Sequence, residues 1–311
     1  MKPKLVILLG PTAVGKSELA LELAAAIDAE IVNADSQQVY RYLDIGTGKP
    51  SPAERERVTH HLIDIVNPDE EFNAALFCRL ATQSIEQIPA RNKNVIVCGG
   101  TGLYLKVLTR GLFAGPDQDA QIRQALERRI DAEGLASLYR QLLRIDPSAG
   151  PTIHPNDRQR TIRALEVFQL TGKPLSQWQK EHRFQERPFE VVKIGLNRER
   201  GELYERINRR SERMVEDGLL EEVRSVVAKG YGLALKPLLS LGYRQMGQVL
   251  LGQQELPAAI EEMKQETRKL AKRQLTWFRA DKEIRWFHPR EMDAVCAATK
   301  LFLASEREIL R

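Results

Sequence analysis

The chain has 311 residues, with 47 Lys and Arg against 42 Asp and Glu and a formal net charge of +5. That length allows one large domain or two modest ones, and the apolar and charged fractions are those of an ordinary soluble globular protein. The charge is too mild to argue for nucleic acid by itself, no apolar stretch is long enough to span a bilayer, and the scattered Cys78, Cys98 and Cys296 lack metal-ligand spacing and suit a reducing, cytosolic setting.

The first apolar run, Leu5 to Leu9, reads as a buried parallel strand. It is too short for a signal peptide and runs directly into Gly10-Pro11-Thr12-Ala13-Val14-Gly15-Lys16-Ser17. From Glu18 to Ile27 the apolar positions Leu19, Leu23 and Ile27 repeat at helical spacing. A G-x-x-x-x-G-K-S stretch between a strand and a helix is a phosphate loop. Gly10 and Gly15 let successive N–H groups aim at one point, and the helix beginning near Lys16 adds its positive end. Lys16 supplies a charge, and the Ser17 hydroxyl suits a Mg²⁺ shared with the phosphates. The motif specifies a diphosphate or triphosphate, not a reaction.

Glu30 to Ala34 is a second short strand, which delivers Asp35, Ser36, Gln37 and Gln38 at its carboxyl end. In a doubly wound sheet that end lines the ligand crevice. Asp35 could hold Mg²⁺ through water, act as a general base, or cap the next helix. The glutamines and Ser36 are neutral groups of the kind that read a base edge. Arg41 to Pro50 forms a polar, glycine-bearing loop. His60 to Val66 reads as a strand whose adjacent histidines point to opposite faces, a poor metal pair. A helix is expected over Phe72 to Ile88, then a strand from Asn94 to Cys98 ending in Gly99-Gly100-Thr101. A hydrolytic NTPase commonly places a Mg²⁺-holding aspartate at such a strand end; none stands here.

The texture changes near Asp117. Ala120 to Tyr139 and Asp157 to Leu170 are expected helices, and the span to Arg187 is rich in arginine, including Arg123, Arg160, Arg163 and Arg183. A helical, basic block between two α/β parts predicts an inserted lobe able to hold a phosphate backbone, although basic helices are more often solvated faces. Glu190 to Leu196 returns to strand texture, and Asn197 or Arg198 opens a long helix. On it Arg206, Arg210 and Arg213 share a face, either as a lid for a departing phosphate or as partners of Glu202, Glu205 and Glu212. Ser240 to Gln245 is a glycine-hinged turn. The helix Ala258 to Arg279 ends with basic and aromatic residues interleaved, which suits RNA, although Trp277, Phe278 and Trp286 are equally candidates for the core. Trp286 to Pro289 reads as a closing strand, followed by a terminal helix.

Taken in order, Gly10–Ser17, Asp35–Arg41, Asp44–Pro50, His60–Asp64, Gly99–Tyr104, His154–Val167, Gly242–Gln245 and Trp277–Arg279 cover nearly the whole chain. In this pattern the sequence resembles the bacterial tRNA dimethylallyltransferases. The resemblance implies a P-loop kinase-like α/β parallel sheet core, residues 1–116 and 188–311, with an inserted all-helical RNA-binding lobe at 117–187. It implies transfer of a dimethylallyl group from dimethylallyl diphosphate to N6 of the adenosine 3′ of the anticodon. Free AMP, ADP or ATP as the acceptor is the alternative. By resemblance, Gly10, Pro11, Thr12, Ala13, Val14, Gly15, Lys16 and Ser17 hold the donor, with Mg²⁺ on Ser17. Asp35 matches the general base, and Thr101 and Arg210 join it at the reaction centre. The tRNA anticodon stem-loop would be contacted by Asp35, Ser36, Gln37, Gln38, Thr101, Arg123, Gln159, Arg160, Thr161, Ile162, Arg163, Ser240, Leu241, Gly242, Tyr243, Arg244 and Gln245. A cytoplasmic monomer with no membrane association is expected.

Overall fold

Parallel strands covered on both faces are read from short, uninterrupted apolar runs, and β1 (Lys4–Leu9) is of that kind, with Leu5 to Leu9 essentially without exposure. The computed structural model describes residues 2–112, 115–182 and 186–305. Around β1 lie β2 (Ala29–Asn33), β3 (His60–His61), β4 (Asn94–Gly99), β5 (Glu190–Leu196) and β6 (Ile284–Phe287). They form one six-stranded sheet in the order β3-β2-β4-β1-β5-β6, and every pairing is parallel. The carboxyl ends of β1, β2 and β4 therefore open on the same edge, where a doubly wound sheet carries its ligand.

The chain divides into two compact units, Met1–Thr109 with Pro188–Arg311, and Arg110–Arg187. In the first, α1 (Lys16–Ile27), α2 (Pro52–Arg57), α3 (Ala74–Gln87) and α4 (Gly102–Arg110) belong to the upstream half. The described residues of the second unit form helices joined by turns, with no strand among them. The unit contains α5 (Ala120–Glu133), α6 (Leu135–Ile145), α7 (Arg158–Thr171) and α8 (Leu175–His182), packed around Leu126, Leu138, Leu142 and Leu165. The first unit resumes with α9 (Arg200–Glu216), α10 (Leu219–Ala228), α11 (Tyr243–Leu250), α12 (Leu256–Arg279) and α13 (Met292–Ala304).

Several expected elements differ in extent: the closing strand expected over Trp286–Pro289 is Ile284–Phe287, and the long helix expected from Asn197 or Arg198 begins at Arg200. The strand expected over His60–Val66 stops at His61, because Leu62 and Asp64 take positive φ values of 63° and 55°. That turn is held by Asp64, whose carboxylate pairs with Lys49 at 2.5 Å and Arg55 at 2.7 Å. The helix expected over Ala120–Tyr139 is two helices, broken at Gly134 with φ 81°. The helix expected from Phe72 begins at Ala74, because the Asn73 side chain caps it by accepting from the N–H groups of Ala75 and Leu76. Arg183 and the end of the terminal helix beyond Ser305 lie outside the described residues.

Candidate active site

The phosphate loop is fastened from outside by three side chains that its own motif does not contain. Arg198 Nε donates to Val14 O at 2.8 Å and Arg206 Nε to Ala13 O at 3.0 Å. Gln274 on α12 accepts from the Thr12 N–H at 2.8 Å and donates to Gly100 O at 2.9 Å, tying the loop to the turn after β4. Pro11, Ala13 and Val14 are buried, so they present backbone rather than side chain to a ligand. Gly15 caps α1 with φ 107° and no side-chain partner, which leaves the first N–H groups of the helix for an anion. Lys16 folds back onto Gly10 O at 3.1 Å and Pro11 O at 2.8 Å. Burial lowers its pKa to about 8, against the opposing pull of Asp35.

Asp35 stands just beyond β2. Its Oδ1 accepts from the N–H groups of Gln37 at 2.8 Å and Gln38 at 3.3 Å, which closes a turn and not a helix, since the next helix starts at Pro52. Its Oδ2 has no hydrogen-bond partner among the described residues, which leaves one oxygen for chemistry. Thr101 Oγ1 accepts from the Ser36 N–H at 3.1 Å and locks the turn after β2 to the turn after β4. Lys16, Ser17, Asp35, Thr47, Arg210 and Gln274 are among the lining of a chamber of about 80 Å³, in which Asp35 is the only acid among the described lining residues. Two larger cavities share this lining. One, of about 1050 Å³, includes Ser17, Arg41, Lys49, Arg210 and Arg213. The other, of about 490 Å³, includes Asp35, Ser36, Gln37, Arg210, Ser240, Leu241, Arg244 and Arg273.

Arg210 thus faces all three spaces, and it makes no hydrogen bond or ion pair among the described residues. Burial lowers its pKa while the Asp35 charge opposes that shift. Of the three acids that could have neutralised the arginine row, Glu202 pairs with Arg198, Glu205 with Arg209 and Glu212 with Lys264. The row is therefore left for other anions, except for Arg206, which is spent on the phosphate loop.

Several residues expected to touch RNA are placed otherwise. Thr161 and Ile162 are buried in α7, because the helix turns that face into the core of the second unit. Tyr243 and Gln245 are fully buried. Gln245 accepts from the Gly242 N–H at 2.9 Å and donates to Glu262 at 3.1 Å, closing the first turn of α11. Gly242 is buried with them. Gln38 spends its amide on Thr47 O and Gly48 O, and Ser240 Oγ donates to Pro237 O at 2.6 Å. Arg123 and Arg163 both bind buried Glu166, at 3.0 and 2.8 Å. Gln159 and Arg160 are exposed at the start of α7. Leu241 and Arg244 line the 490 Å³ cavity, Arg244 while paired with Glu262 at 2.8 Å. Of the aromatic candidates, Phe278 is core and Trp277 is 44% exposed. Sequence reasoning missed Arg198 and Gln274, which bond to backbone groups distant in sequence that no local pattern encodes.

A phosphate loop between β1 and α1, set opposite the carboxylate of Asp35 and the unpaired guanidinium of Arg210, defines a P-loop α/β protein with a place for a phosphorylated ligand. Residues 38–281 match the family described as IPP transferase, and the chain belongs to that family. It is 52% identical over 292 residues to a tRNA dimethylallyltransferase of Syntrophobacter fumaroxidans, covering 94% of this chain and 85% of that one. It is 51% identical to a tRNA dimethylallyltransferase of Geobacter metallireducens, covering 97% and 98%. Among solved structures, the full-length tRNA isopentenylpyrophosphate transferase of Bacillus halodurans is similar at a TM-score of 0.74 and 37% identity, over 99% of both chains. A eukaryotic dimethylallyltransferase acting on tRNA is similar at a TM-score of 0.75 and 30% identity, over 88% of this chain and 69% of that one.

Proposed function

We propose that this protein is a tRNA dimethylallyltransferase, moving the dimethylallyl group of dimethylallyl diphosphate to N6 of the adenosine 3′ of the anticodon. The observation that carries the mechanism is the small chamber where Lys16, Ser17 and the unpaired Arg210 meet the single carboxylate of Asp35. The N6 lone pair attacks the allylic carbon bonded to oxygen. That carbon–oxygen bond breaks, and its electrons leave with the diphosphate. The proton lost from nitrogen goes to Asp35, whose open Oδ2 is the acceptor. An amine on an aromatic ring is a weak nucleophile, so a positioned base contributes directly. Negative charge grows on the departing diphosphate, and Lys16, Arg210 and the N–H groups at the start of α1 would stabilise it.

Mg²⁺ fits the same place. Ser17 lines the chamber at the start of α1, and an ion that takes most of its oxygens from phosphates and water needs little more from the protein. The exposed Ser17 hydroxyl would supply the protein's ligand. Such an ion adds positive charge beside the leaving group. The 490 Å³ cavity, with Ser36, Gln37, Leu241 and Arg244, is suited to an adenine drawn out of its stack, a step that costs a few kcal/mol and less in a loop than in a duplex. Nothing in the similarities favours a free adenine nucleotide as acceptor. The tRNA substrate implies a cytoplasmic enzyme, and a monomer is sufficient for the chemistry.

The test is direct. An anticodon stem-loop incubated with the protein, Mg²⁺ and dimethylallyl diphosphate should yield a nucleoside heavier by one dimethylallyl group, by mass spectrometry. AMP offered in parallel should stay unmodified. Asp35→Asn should lower turnover by about a hundredfold or more while RNA affinity changes little. Equal loss of turnover and affinity would make Asp35 a binding residue and end its assignment as the base.

A further inference from the structure

Glu222 belongs to none of the stretches that point to the site. It stands in the first turn of α10, half-buried, and its carboxylate is fully engaged. Oε2 accepts from the N–H groups of Asp44 at 2.9 Å and Ile45 at 2.8 Å. Oε1 accepts from the Gly46 N–H at 3.3 Å and the Tyr243 hydroxyl at 2.6 Å. Three successive N–H groups converging on one carboxylate form an anion nest, filled here by the protein's own side chain through charge-assisted bonds. No cation pairs with Glu222 among the described residues.

The nest opens a single tight turn. Gly48 N donates to Ile45 O at 3.0 Å, Lys49 N to Asp44 O at 3.1 Å, and the Thr47 hydroxyl to Leu43 O at 2.6 Å. Glu222 therefore acts as a cap supplied from a distant helix. At the far end of the turn Gly48 lies directly against Arg210, where any side chain on Gly48 would overlap Nη2. Gln38 binds the same end through Thr47 O at 3.2 Å and Gly48 O at 3.1 Å. Because Arg210 has no hydrogen bond of its own, its packing against the turn at Gly48 bears directly on where the guanidinium sits. Tyr243 seals the other side, and its ring comes within 2.5 Å of where a Gly46 side chain would begin. Burial first, then the Glu222 charge, hold the phenol above its ordinary range, so it remains a donor.

We propose that Glu222 is a positioning residue for the transfer: by gripping the N–H groups of Asp44, Ile45 and Gly46 it seats Gly48 against Arg210 and fixes the guanidinium over the chamber. This rests on the reading of Arg210 as a group that stabilises the leaving diphosphate. Glutamine at this position has the size but replaces one acceptor oxygen with a donor, so it cannot satisfy the nest and Tyr243 together.

A double-mutant cycle separates the possibilities. Turnover is measured for the wild type, Glu222→Gln, Arg210→Ala and the double variant, with RNA affinity and thermal unfolding recorded for each. Arg210→Ala should cost about a hundredfold. Glu222→Gln should cost about tenfold in the wild type and nothing further on Arg210→Ala, with RNA affinity within about twofold of wild type. An Arg210→Ala enzyme with full turnover would overturn the reading of Arg210. A normal loss for Arg210→Ala together with an undiminished Glu222→Gln effect on that background would overturn the positioning role alone, leaving Glu222 a fold contact. Should Glu222→Gln fail to fold, Tyr243→Phe removes one of the bonds to the carboxylate. It should cost about threefold, again only where Arg210 is present.

Discussion

The chamber at the sheet edge and the helical unit of residues 110–187 use charge in opposite ways. At the sheet edge the acids that could have neutralised the arginine row are committed elsewhere, and Arg210 is left facing open space. In the helical unit the most buried acid, Glu166, gathers the Asp119 N–H at 2.8 Å together with Arg123 and Arg163. An unpaired charge in a half-buried place is costly, and at Arg210 the nearby Asp35 charge offsets part of that cost while leaving the guanidinium without a hydrogen bond among the described residues. A satisfied cluster of the same residue types holds helices together. Arginine content alone does not distinguish the two, whereas the partner of each guanidinium does.

The sharpest way to break this comparison is at Lys16. Lys16→Ala should lower kcat/KM for the donor by about a hundred- to a thousandfold, or about 3–4 kcal/mol of transition-state stabilisation, with unchanged thermal unfolding. A comparable loss of Tm would mean that the lysine serves the fold, as Glu166 does. The reciprocal experiment is Glu166→Gln. Glutamine keeps one acceptor oxygen but sets a donor against the other guanidinium and removes the charge that Arg123 and Arg163 share, which should cost about 3 kcal/mol of stability. The loss should be seen as earlier melting and as faster proteolysis within 110–187, with donor KM unaffected. A stable variant with weakened RNA binding would show instead that the pair is held for the substrate.

How much of this was legible in the sequence follows from where the information lies. The phosphate loop, the turns carrying Asp35 and Thr101, and the strands that lead into them come from short-range pattern, because glycine positions and apolar runs specify backbone locally. A change of texture near Asp117 marks the helical stretch in the sequence, whereas the compact unit begins at Arg110. The unit's contacts were not legible. Thr161 and Ile162 sit in a motif that resembles an RNA contact, yet the helical phase turns them into the core. Tyr243 and Gln245 are polar residues in a glycine turn, and both are consumed by partners, Glu222 and Glu262, that only the tertiary fold brings near. Gln274 and Arg198 were hidden for the same reason, since a side chain bonding to a remote carbonyl or N–H leaves no periodicity behind.

A smaller effect concerns pH. The Lys16 pKa lies near 8, below its ordinary 10.5. Between those values the unfolded chain carries a proton that the folded chain lacks, so this residue's contribution to stability rises with pH across that window. Pyrophosphate binding should run the other way, weakening by up to about tenfold per pH unit above pH 8 as the charge is lost. Calorimetric titrations of the wild type and Lys16→Met, compared as a difference, isolate the lysine from other groups that titrate there. Matching slopes in the two proteins would place the lysine's proton loss outside this range.

The smallest effect expected is at Arg160. It is exposed at the start of α7, and its contact is a 3.4 Å pairing with Asp157 one turn back, with a marginal bond to Thr152 O at 3.5 Å. Exposed pairs of this kind contribute about 0–1 kcal/mol, so Arg160→Ala should leave Tm nearly unchanged. If the residue meets RNA, it meets a phosphate. Affinity should then fall a few-fold at low salt, and the dependence of log Kd on log salt should become shallower by about one unit. The same substitution at Arg123 removes a buried partner of Glu166 and should lower Tm. A salt slope altered by Arg160→Ala but not by Arg123→Ala would assign RNA contact to the exposed guanidinium and structure to the paired one. Unaltered slopes in both would move the RNA-binding surface of this unit away from the start of α7.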